Sequence, residues 1–110
     1  MNWKAFIKIP FLLMAMTLSS LSYAEAVWID VRSSAEHFLD NIDGDVRISH
    51  EEIVQGVNKL LPDKSTEIRL YCRSGQRAGK AMSALKEAGY TNVSNAGGIY
   101  DARKERGIVQ

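Results

Sequence analysis

Glu67-Ile68-Arg69-Leu70-Tyr71-Cys72, followed by Arg73-Ser74-Gly75-Gln76-Arg77-Ala78-Gly79, is the stretch on which the fold turns. Residues 67–71 read as a strand that runs directly into Cys72. A short polar loop comes next. Ala78 to Ala88 then reads as a helix, with Ala81, Met82 and Leu85 on one face and Gly89 as its stop. A strand, a loop and a helix in immediate succession form half of a βαβ unit.

The same alternation extends outward. Val27 to Val31 reads as a strand and Ser33 to Asp40 as a short helix, with Ser33 and Glu36 at capping-box spacing. Val46 to Ile48 is a brief strand. Ser49 and Glu52 repeat the capping spacing, and Ile53, Val57, Leu60 and Leu61 then recur at helical period up to Pro62. Downstream, Thr91 to Ser94 is a candidate strand, Gly97-Gly98 a turn, and Ile99 to Lys104 a short helix. Strands alternating with helices imply an α/β domain with a mainly parallel central sheet. Ligands of such sheets sit beyond the carboxyl ends of the strands, where Cys72 lies.

The chain begins like an export signal. Lys4 and Lys8 form a positive start, Phe11 to Leu18 an apolar core, and Ser22-Tyr23-Ala24 a small-residue cleavage site. The rival is a retained anchor, but the apolar stretch falls short of the ~20 residues a span needs, and Pro10 interrupts it. Residues 1–24 are therefore expected to be cleaved, leaving one small domain over 25–110 in the periplasm, without stable membrane association. Taking Lys4 and Lys8 from the 14 basic residues leaves 12 against 13 acids, a net charge of −1. Nothing in that balance points to nucleic acid. A monomer is expected.

Cys72 is the only cysteine. An exported domain often uses paired cysteines as staples; this one has no partner in its chain. A buried thiol acting as a small hydrophobe is the plain alternative. The neighbours argue against it. Backbone N–H groups of a tight loop converge on a negative charge. A helix N-terminus adds roughly half a positive charge. Arg73 and Arg77 bring full charges and forked donors. Such surroundings lower a thiol pKa from about 8.5 into a range of roughly 3.5 to 7.5. Cys72 is thus the candidate nucleophile.

Cys72-Arg73-Ser74-Gly75-Gln76-Arg77 resembles the active-site loop of the rhodanese family, in which a cysteine opens a six-residue loop. Trp28-Ile29-Asp30-Val31-Arg32 with Glu36-His37-Phe38 is similar to the family's first motif, Asn41 to Ile48 to its second, and Asn95-Ala96-Gly97-Gly98-Ile99 to its terminal Gly-Gly element. With the signal and the small size, the chain is most similar to periplasmic rhodaneses of the phage-shock-protein-E type. It departs from the family at Asn41, Asp45 and Arg47, where His, Ala and Asn are usual, and at Ala102, where an aromatic is common.

The resemblance implies a three-layer domain and a thiosulfate sulfurtransferase. Its donor is a small sulfur anion, thiosulfate; its acceptor is cyanide or a thiol; the carrier is a Cys72 persulfide; no metal and no organic cofactor take part. Ser74, Gly75, Gln76 and Arg77 are expected to supply backbone N–H groups, with Arg77 facing the bound anion and Arg73 meeting substrate from outside. Gly75 is expected to permit a positive φ or a close approach. Asp30 and Arg32, at the end of the first strand, are expected to be chiefly structural, with electrostatic support of the site as the alternative. His37 and His50 read as surface or core-edge histidines. Two rivals remain. One is a cysteine phosphatase or arsenate reductase, whose loop puts five residues between Cys and Arg; here there are four, and the next position is Ala78. The other is a persulfide carrier or binding module that serves a protein partner.

Overall fold

A computed structural model describes residues 25–109; the signal segment expected over residues 1–24 lies outside them. Strands and helices alternate in the order β1 (Val27–Asp30), α1 (Ser34–Leu39), β2 (Val46–Arg47), α2 (Ile53–Leu60), β3 (Ile68–Cys72), α3 (Gln76–Glu87), β4 (Val93–Gly98) and α4 (Ile99–Arg106). The strands form a four-stranded sheet in the order β2-β1-β3-β4. Every pairing in it is parallel, as the alternation requires.

Period-two alternation in β1 and β3 sends side chains to both faces. Ile29, Ile68, Leu70 and Cys72 point one way, into a cluster with Ile53 and Val57 of α2 and Ala78, Ala81 and Leu85 of α3. Each fully buried Ile or Leu there contributes about 1.5–3 kcal/mol. Tyr71 points the other way, against Ile42, Ile99 and Ala102. The domain therefore has three layers, with α2 and α3 on one side of the sheet and α4 on the other.

Local signals hold where a side chain acts on its own turn. Ser33 caps α1: its hydroxyl accepts from Glu36 N–H at 3.2 Å, and Glu36 accepts from Ser33 N–H at 3.1 Å. Such a cap contributes about 1 kcal/mol. The second capping box does not form. Ser49 accepts instead from Glu51 N–H at 3.2 Å in a local turn, and α2 starts at Ile53 behind an uncapped Glu52. Gly97-Gly98 is not a turn but the end of β4, paired with Tyr71 and Cys72 after a register shift. The residue added by that bulge shifts the register so that Gly98 lies beside Cys72.

Candidate active site

Cys72 ends β3 in the interior, with no exposed surface. The loop after it turns at Gly75, whose φ is +100°, a left-handed value that a Cβ would oppose. Gly75 N–H donates to Cys72 Sγ at 2.9 Å. Two opposed influences set the thiol's acidity. Burial raises its pKa; the backbone N–H groups of Ala78, Ser74, Gly75 and Arg77 lower it, and they prevail. Gln76 opens α3, and the amide of Ala78, in the first turn of that helix, is among the groups that lower the thiol pKa. The thiol thus lies at the N-terminus of a twelve-residue helix, and the N-cap amide of that helix donates to it.

The two loop arginines separate. Arg73 is exposed and lines a cleft of ≈ 260 Å³ with Arg32, Glu36, Leu39 and Tyr100. Arg77 was expected to face the bound anion with its side chain. Its backbone serves the thiol, but its guanidinium turns to Glu36 of α1, with Nη1 to Oε1 at 2.7 Å and Nη2 to Oε2 at 2.9 Å. A carboxylate already placed by the α1 cap offers a two-pronged partner that open loop water cannot match. The pair drives Glu36 far below the usual carboxylate range, chiefly through the hydrogen bond from Arg77.

Asp30 and Arg32 form a buried ion pair. Arg32 donates to Asp30 through its backbone N–H at 2.9 Å, through Nε at 3.0 Å and through Nη2 at 2.9 Å. Burial opposes the charge of Arg32, and the carboxylate more than offsets it, raising its pKa. His37 joins them. Its Nδ1 lies 2.9 Å from Asp30 Oδ2, and since a carboxylate only accepts, that nitrogen carries the proton. This is a specific partner for a residue that reads, in sequence, as a core-edge histidine. No local pattern signals it, because a helix residue and a strand residue seven apart meet only once α1 folds back on β1.

Sequence reasoning passed over the supports beneath the loop. Asn95 Nδ2 donates to the Gly75 carbonyl at 2.9 Å, and Asn95 Oδ1 accepts from Gly97 N–H at 2.8 Å. Asp101 accepts from Gly98 N–H at 2.8 Å. A Cβ on Gly98 would lie 2.4 Å from the Arg73 carbonyl oxygen, so β4 and the loop touch backbone to backbone. Gly97 and Gly98 therefore shape the loop by contact. Asn95, Gly97 and Gly98 all belong to the terminal family-like motif, whereas Asp101 carries no signal in the sequence.

The model of the rhodanese-like domain matches residues 16–105 of the chain. The chain belongs to the rhodanese-like family. It is 34% identical over 90 residues to thiosulfate sulfurtransferase PspE of Escherichia coli (strain K12), covering 82% of this chain and 86% of that one. The solved structure of a rhodanese with anions from E. coli superposes with a TM-score of 0.67 at 35% identity, over 70% of this chain and 91% of the other. The human single-domain sulfurtransferase TSTD1 shares the fold, with a TM-score of 0.62 at 24% identity, over 84% of this chain and 90% of the other.

Three departures from the usual rhodanese pattern have structural partners here. Asn41 Nδ2 donates to the His37 carbonyl at 2.8 Å, closing the end of α1. Asp45 accepts from Tyr71 Oη at 2.7 Å and pairs with Arg106 through both oxygens at 2.7 and 3.0 Å. Arg47 Nη1 donates to the Arg32 carbonyl at 3.2 Å. Asn41 closes a helix while Asp45 and Arg47 bind near the sheet, and none of the three hydrogen-bonds to Cys72.

Proposed function

We propose that the protein is a periplasmic thiosulfate sulfurtransferase that carries sulfane sulfur as a persulfide on Cys72. The observation that carries this reading is the buried Cys72 thiol at the end of β3, whose Sγ accepts from Gly75 N–H at 2.9 Å and whose pKa the surrounding backbone amides lower. Such donors stabilise a thiolate at rest and cost no reorganisation during reaction. The Cys72 thiolate attacks the outer sulfur of thiosulfate. A Cys72–sulfur bond forms, the sulfur–sulfonate bond breaks, and its electron pair leaves with sulfite. One negative charge stays on the persulfide and two depart. Cyanide or a thiolate then attacks the terminal sulfur and returns the Cys72 thiolate. Sulfite is already a good leaving anion, so the step needs positioning and charge stabilisation more than proton transfer. Arg73 follows Cys72 directly, is exposed and is free of ion-pair partners among the described residues, which supports a role in meeting the incoming anion.

Intact mass after thiosulfate treatment tests this directly. The protein should gain one sulfur atom, cyanide should remove it, and Cys72→Ser should not gain it. An unchanged mass in the unsubstituted protein, or a phosphatase turnover without sulfur transfer, overturns the reading. A protein thiol as acceptor is a second reading. Leu39 and Tyr100, both at the cleft, are 81% and 58% exposed and suit a surface larger than cyanide. Faster persulfide discharge to a periplasmic protein thiol than to cyanide would favour it.

A further inference from the structure

We propose that Glu36 determines anion specificity in the sulfur-transfer site: it withholds the Arg77 guanidinium, so that bound anions meet backbone amides and the single guanidinium of Arg73 rather than two. The inference rests on the sulfur-transfer reading above. Its geometry is fork to fork, with both guanidinium nitrogens on both carboxylate oxygens, at 2.7 and 2.9 Å. Glu36 is itself held, since Oε1 also accepts from Ser33 N–H at 3.1 Å and from Ser33 Oγ at 2.9 Å. The carboxylate is therefore built into the α1 cap and keeps its aim.

Arg77 follows Cys72 by five residues in the first turn of α3, and a negative charge on Cys72 would favour the Arg77 guanidinium. Unpaired, its guanidinium would stand beside a helix N-terminus, an arrangement suited to tetrahedral oxyanions such as sulfate and phosphate. Those anions carry no sulfane sulfur and would only occupy the site. The surrounding charges are otherwise committed. Asp30 is paired with Arg32 and His37, Asp40 with Arg103, and Asp101 with the Gly98 amide. Arg73 is the cation of the cleft left without a partner among the described residues.

Three variants of the full protein separate charge cancellation from simple bracing: E36Q, R77Q and the double variant. Gln preserves the size of Glu36, and Gln at position 77 preserves the backbone amide. Two quantities are read: the pH midpoint of Cys72 alkylation by iodoacetamide, which needs no sulfur donor, and inhibition of that alkylation by sulfate. In E36Q the midpoint should fall and sulfate should bind roughly three- to tenfold tighter, the effect of a full charge several ångströms away at a protein-surface dielectric. In R77Q both should move the opposite way. The double variant should return near the unsubstituted protein. If all three raise the midpoint and weaken sulfate together, or none moves it, Glu36 is only a brace and the proposal is wrong. Failure of sulfur transfer would appear separately, as no mass gain from thiosulfate in the unsubstituted protein.

Discussion

Asp30 closes β1 and Cys72 closes β3, on adjacent central strands, and each holds an acidic group out of water. Asp30 is surrounded by donors from side chains and backbone: the Arg32 amide, its Nε and Nη2, and His37 Nδ1. A carboxylate has about four acceptor sites, so this one is saturated. Among the described residues, no cationic side chain donates a hydrogen bond to Cys72. Its donors are backbone N–H groups, fixed by the loop and by α3. The contrast separates two uses of buried charge. Saturation by charged side chains makes a permanent, inert joint. A ring of backbone dipoles favours the anion yet leaves it free to form a new bond.

Asp30→Asn should break the first arrangement most severely. It strips the counter-charge from a buried Arg32, and unfolding in urea should show a loss of about 3 kcal/mol. A loss well under 1 kcal/mol would mean that the joint is not structural. Gly98→Ala should damage the second arrangement. Its Cβ would sit 2.4 Å from the Arg73 carbonyl oxygen, so the loop must move. The expected cost is about 1–3 kcal/mol. Alkylation of Cys72 at neutral pH should slow at the same time, because the displaced amides no longer favour the thiolate.

The titration of Cys72 sharpens the comparison further. Its pKa is lowered, and the thiolate is the reactive form. Alkylation should therefore stay fast as pH falls through the ordinary thiol range near 8.5, and decline only at lower pH. A profile with its midpoint at or above that value would contradict the cradle. The smallest effect is expected from His37→Gln. The His37 side chain is 27% exposed, and Arg32 still holds Asp30. Chemical denaturation should register a loss of under about 1 kcal/mol, with Cys72 alkylation unchanged.

Much of the sheet was legible because its signals are local. The apolar runs 27–31 and 67–71 became β1 and β3, and Ser33 became the cap of α1. Ser49 misled because its hydroxyl serves a turn that competes with capping. Gly97-Gly98 misled because a glycine pair suits both a tight turn and a bulged strand end, and only packing against the Arg73 carbonyl decides between them.

The sequence by itself determined that Cys72 follows a strand and precedes a helix. It also determined that the loop between them could turn at Gly75 and that the cysteine has no partner in its own chain. Those are properties of neighbouring residues, written in their order. Tertiary structure decided where the charges go. Arg77 found Glu36, 41 residues away; Arg106 found Asp45, and Asn95 found the Gly75 carbonyl. Periodicity assigns a side chain to a face. Its partner depends on which strands lie side by side, and that follows from burying both faces of the sheet at once.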